Sequence, residues 1–129
     1  METGRASRLV QVGIRTLNKH QREQAEKFGV EIYQMKDLTK LSSLSFSKPV
    51  YCSIDIDALD PAYAPGVSHF EPGGLSTRQL IECLNGFKGR LIGVDIVEYN
   101  TKRDFHNLTA MVAAKLLKEV IARIYHDNG

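Results

Sequence analysis

The run from Ser53 to Gly66, SIDIDALDPAYAPG, places three aspartates within six residues. Asp55 and Asp57 stand in a β-branched stretch introduced by Pro49, VYCSIDID, which reads as a strand. On a strand, residues two apart point to one face, roughly 6.6–6.8 Å apart along the chain. Two carboxylates placed that way repel each other and are costly to bury without a partner. A divalent cation supplies the partner, and an all-oxygen pair suits Mg, Mn or Ca better than softer metals. The competing use of the same residues is local: an Asp at a strand end caps the turn that follows. Asp60-Pro61 is suited to such a turn and reads as loop-shaping.

Other elements must bring these acids to a strand tip. Arg8 to Ile14 (RLVQVGI) predicts a strand. Asn18 with Gln21 forms a capping box that opens a helix through Phe28, and Gly29 is its stop. Val30 to Gln34 alternates like a strand, and Lys36 to Ser43 is at most a short helix. A loop rich in Pro and Gly runs from Ala58 to about Leu75, a length that inside a compact domain is usually functional or disordered. Ser76 and Gln79 make a second capping box, with a helix to Gly86. Arg90 to Tyr99 (RLIGVDIVEY) predicts another strand, bearing Asp95 and Glu98 on opposite faces by alternation. The last helix, Leu108 to Tyr125, shows an apolar stripe of Ala110, Ala113, Ala114, Leu117, Val120, Ile121 and Ile124, with Lys115, Lys118, Glu119 and Arg123 facing out.

Strands that alternate with helices and are apolar on both faces predict an α/β fold, a parallel sheet of four strands covered on both sides. In such sheets ligands bind beyond the carboxyl ends of the strands, where Asp55 and Asp57 fall. The 129 residues, 43% hydrophobic and 25% charged, match one soluble domain. The net charge of +2, from 17 basic and 15 acidic residues, is spread in short blocks. Without a clustered basic patch the expectation is no nucleic-acid partner. No apolar run is long enough to cross a bilayer, so no membrane partner is expected. Cys52 and Cys83, 31 positions apart, do not have a zinc spacing and read as reduced thiols in an intracellular protein. METGRASRLV has no signal-peptide apolar region.

Asp-x-Asp after an apolar strand also opens phosphatases of the haloacid dehalogenase type, where the first Asp is a nucleophile. Those enzymes usually carry Thr or Val where this chain has Leu59, and they place the motif on the first strand. A longer pattern fits better. SIDIDALDPAYAPG, then EPGGLS at 71–76, then GVDIVEYN at 93–100, resembles the ureohydrolases, the arginases and agmatinases. VSHFEPGG at 67–74, QVGIR at 11–15 and LTAMVAAKL at 108–116 look most like the plant-type branch.

The resemblance implies a three-layer α/β/α sheet and a binuclear manganese centre. Asp55 resembles the ligand that bridges both ions, and Asp57 a ligand of one. Glu98 resembles the catalytic acid that receives the substrate guanidinium, and Asp95 a supporting acid outside the metal shell. The implied reaction hydrolyses arginine or agmatine to urea and an amine, through a hydroxide shared between the ions. Asn18 stands where animal arginases carry an acid touching the amino-acid end of arginine, which leaves arginine and agmatine both open. His69 is placed at the site rim, while His20, His106 and His126 read as surface or capping residues.

The family's Asp-x-His-x-Asp and Gly-Gly-x-His ligand segments do not occur in this chain. METGRAS corresponds to an internal point of the family sequence, so residues 1–129 are expected to be the C-terminal portion of one ureohydrolase domain. Alone, that portion is expected to be inactive, or to dock as a non-catalytic fragment on intact subunits. The resemblance further implies a homo-oligomer, trimer or hexamer. The location would be cytoplasmic, or mitochondrial if a targeting segment preceded this portion.

Overall fold

The computed structural model describes residues 6–128, so the METGR start lies outside the described residues. The chain forms two compact units, one up to Lys40 and one from Leu41 onward. In the first, strand β1 (Val10–Ile14) pairs in parallel with β2 (Glu31–Gln34). Helix α1 (Lys19–Phe28) joins them. Its capping box is the predicted one: Asn18 Oδ1 accepts from the Gln21 amide, and Gln21 accepts from the Asn18 amide, both at 2.8 Å. Gly29 ends the helix at φ 62°, a left-handed conformation that glycine adopts without a Cβ penalty. A short 3-10 helix, Met35–Ser43, follows.

The second unit is built on the parallel pair β3 (Val50–Asp55) and β4 (Leu91–Val97), in a register that sets Ser53 opposite Asp95 and Asp55 opposite Val97. Between them run a 3-10 turn at Ile56–Ala58, the predicted long loop, and helix α2 (Thr77–Gly86). Ser76 and Gln79 close the second capping box on α2. Helix α3 (Leu108–Asn128) packs on β4 and α2. Ile54, Ile56, Leu59, Leu75, Leu80, Ile81, Leu84 and Leu91 are buried together with Leu116 and Val120 of α3.

The buried stripe of α3 differs from the expected one. Leu116 is fully buried, whereas Leu117 and Ile121 are 51% and 58% exposed. Arg123, expected to face out, is 11% exposed at its side chain. Its guanidinium lies 3.8 Å from the Phe87 ring centroid and donates to the Phe87 and Gly89 carbonyls. Asp127 pairs with it at 3.4 Å and accepts from the Leu91 amide. The arginine is enclosed with its planar cation on a ring, Nη2 on two carbonyls and Nε towards Asp127, while Nη1 is buried without a hydrogen-bond partner among the described residues. α3 is apolar on more than one side, so periodicity alone could not select the face that packs.

Candidate functional site

Asp55 closes β3, and its position is set by the ladder, where it makes the last pair with Val97. Asp57 does not continue the strand. It lies in the 3-10 turn, and its amide donates to Asp55 Oδ1 at 3.0 Å. The chain turns here because no β4 residue stands opposite Asp57, while the short Asp55 side chain offers the backbone a local acceptor. The turn also seats Ile56 in the core, 0% exposed. The two carboxylates therefore meet across a turn rather than along one strand face.

Burial holds the Asp55 carboxyl above the ordinary carboxylate range. The donated Asp57 amide opposes that rise, while the nearby Asp57 and Glu98 carboxylates add to it. Asp57 thus adjoins Asp55 at the carboxyl end of β3, and Glu98, just past the end of β4, is near enough to add weakly to the repulsion that a cation there would relieve.

Glu98 follows the last residue of β4 with φ 63°. A non-glycine residue in the left-handed region is uncommon and persists only where its surroundings impose it. The strand alternation that set Glu98 opposite Asp95 therefore stops at Val97. Asp95 sits two pairs further into the sheet, opposite Ser53. It accepts from the Tyr51 hydroxyl at 3.0 Å and from the Ser53 hydroxyl, tying β4 to β3 on the face that also carries Asp55.

Asp60 shapes the long loop. It accepts from the Ala62 amide at 2.9 Å and the Gly73 amide at 2.7 Å. His69 is exposed in that loop. Asn18 belongs to the first unit, and its carbonyl oxygen is engaged by the α1 cap.

Sequence reasoning missed the group that anchors this loop, Gly66, Asp104 and Thr109. A threonine opening an otherwise apolar helix, LTAMVAAKLL, was the available signal. Among the described residues no three His, Cys, Asp or Glu side chains gather as a metal-ion site. Asp55 and Asp57 fit manganese in donor type, two hard oxygens, but not in number, because a tight site needs more ligands. No helix among the described residues is long and apolar enough to cross a membrane.

A parallel α/β unit with acids at the strand tips defines a class of protein, and comparison with known proteins gives the family. The Arginase family profile matches residues 1–122, and the chain belongs to that family. It is 52% identical over 132 residues to arginase 1, mitochondrial, of Oryza sativa subsp. indica, covering 96% of this chain and 39% of that protein. Among solved structures it is similar to the arginase from Medicago truncatula, with TM-score 0.88 and 47% identity, covering 95% of this chain and 42% of that one. A triple mutant of the T. brucei arginase-like protein bound with Mn2+ matches with TM-score 0.89 and 32% identity, over 96% of this chain and 44% of that one. The four strands and their helices are thus part of an arginase-like α/β fold, and the chain spans about two-fifths of the length of these relatives. The haloacid dehalogenase-type alternative gains no support from these comparisons.

Proposed function

We propose that this chain carries part of the active site of a manganese-dependent hydrolase that acts on a guanidino compound. Arginine is the first candidate because the 52% and 47% identical relatives are arginases, and agmatine is the alternative. The chain would be the C-terminal portion of one such domain. The observation that carries the reading is the placement of Asp55 and Asp57 at the carboxyl end of β3, with Glu98 following the adjacent end of β4.

In this reading Asp55 and Asp57 hold manganese, which when bound supplies Lewis-acid activation of water. Glu98 orients the planar guanidinium through charge-assisted hydrogen bonds. Its backbone, forced to φ 63°, is the kind of strained position that active sites retain. Asp95 supports the site by locking β3 to β4, which fixes the depth at which Asp55 emerges. His69 is assigned to the rim. A substrate contact by Asn18 would have to come from its amide NH2, since its oxygen caps α1. A homo-oligomer and a mitochondrial location, the latter after the rice relative, belong to the same proposal.

Manganese titration of this chain, followed by electron paramagnetic resonance, tests the ligand assignment. Two carboxylates predict weak binding, on the order of millimolar, which Asp55→Asn abolishes and Glu98→Gln leaves in place. Equal binding by wild type and Asp55→Asn would remove the metal assignment. Urea release from arginine or agmatine with manganese is expected to be absent for the 129-residue chain alone. Enzyme-like turnover would overturn the claim that further ligands are needed.

A further inference from the structure

We propose that Thr109, seated on Asp104, is a positioning residue: through the Gly66 amide it holds the His69 loop beside the segment that follows Glu98. The inference rests on the reading of Glu98 as the guanidinium acceptor.

Thr109 is the buried polar side chain of the described core, 0% exposed, in the first turn of α3. Valine has nearly its shape, so a hydroxyl is tolerated here only if it is hydrogen-bonded. The Gly66 amide donates to Thr109 Oγ1 at 2.6 Å. Asp104 accepts from the Thr109 amide at 2.9 Å, the Ala110 amide at 3.0 Å and the Tyr99 hydroxyl at 3.0 Å.

Gly66 is gripped on its other side as well, because its carbonyl accepts from the Asn100 amide at 2.8 Å. A Cβ there would stand 2.9 Å from both Asp104 Cβ and Thr109 Oγ1, so this approach of loop to helix requires glycine. The grip extends to the neighbours of His69. Asn100 Nδ2 donates to Ser68 Oγ at 3.0 Å, and Arg103 donates to the Ser68 carbonyl at 3.1 Å while lying over the Phe70 ring. One carboxylate, Asp104, thus secures Tyr99, next to Glu98, and, through Thr109, the part of the loop that leads into His69. Neither restrained segment has regular secondary structure of its own, so side chains supply what a ladder supplies elsewhere.

The test is amide NMR of the chain with manganese as a paramagnetic probe, comparing wild type with Thr109→Val and Thr109→Ser. In wild type, manganese is expected to broaden the amides of Asp55, Asp57 and Glu98 to Asn100, and those of 66–70. Thr109→Val should keep the broadening at Asp55 and Asp57 but reduce it several-fold at 66–70. It should also speed Gly66 amide exchange about tenfold relative to Ile54. Thr109→Ser should restore both.

An unchanged broadening profile in Thr109→Val, whatever its melting temperature, would overturn the proposal, since it would show a purely structural role. If manganese fails to broaden Asp55 and Asp57 even in wild type, the metal reading fails. Gly66 and Asn100 exchange in the two variants then decides the positioning claim. Should Thr109→Val not fold, Thr109→Ser against Asp104→Asn gives the same comparison.

Discussion

The two units hold their parallel strand pairs by different means. Among the described residues, every fully buried apolar side chain lies in the second unit, from Leu41 to Val120, and α1 of the first unit buries none. The first unit rests on a capping box, a left-handed glycine stop, and an exposed Arg8–Glu31 ion pair at 2.6 Å to the first residue of β2. The second has the same kind of capped helix and adds a core. Caps and turns thus specify where elements begin and end, while burial determines how strongly they are held. Asp55, Asp57 and Glu98 all belong to the unit with the core.

That contrast can be broken at the core. Leu116→Ala should cost about 2–5 kcal/mol, the usual range for emptying a fully buried leucine site. Urea unfolding followed by amide exchange would show the loss across β3, β4 and α2. In wild type, α1 amides should exchange much faster than those of β3, because local opening there exposes no core. Equal protection would mean that the first unit has a source of stability that its exposed residues do not reveal.

Acid should separate the units next. Burial pushes the Asp104 carboxyl up, but the amides of Thr109 and Ala110 and the Tyr99 hydroxyl outweigh it and hold the group below its usual range. The Leu91 amide, with Arg123, does the same for Asp127. A carboxylate with a lowered folded pKa contributes stability above its unfolded value and loses it as pH falls through the folded one. The stability that Asp104 and Asp127 give the second unit should therefore be lost below about pH 4, the ordinary Asp value, while Asp55, raised in the fold, offsets part of that loss by shedding its own penalty on protonation. Added salt should leave that loss largely intact, because backbone amides at short range are weakly screened. Glu31 and Asp37 in the first unit are lowered by Arg8 and Lys40, exposed partners that salt does screen. Their contribution should fade in salt; an acid loss of equal salt sensitivity in both units would erase the distinction.

The smallest expected effect compares the caps. Asn18→Ala and Ser76→Ala each remove a side-chain acceptor at a helix start and should cost about 1 kcal/mol. Helicity by circular dichroism should fall more for Asn18→Ala, since α1 has no core to retain it. Equal losses would show that the cap, and not burial, sets the order of both helices.

Much of this was legible in the chain itself. Asn18, Gln21, Gly29, Ser76 and Gln79 marked two helices at their observed ends, because capping chemistry is local to four or five residues. The apolar runs marked the four strands, and the Asp-x-Asp, Glu-Pro-Gly-Gly and Asp-x-x-Glu segments pointed to the family. Tertiary structure decided the rest. It ended β3 at Asp55, since a strand extends only as far as a partner stands opposite, and so placed Asp57 on a turn. It gave Glu98 a left-handed backbone, beyond the reach of alternation. It chose the buried side of α3, enclosing Leu116 and Arg123 and leaving Leu117 and Ile121 outside. It also joined Gly66, Asp104 and Thr109, residues up to 43 positions apart, into one hydrogen-bonded anchor. Local patterns determine elements because their causes lie within a few residues; the site depends on pairings that exist only after distant segments have packed.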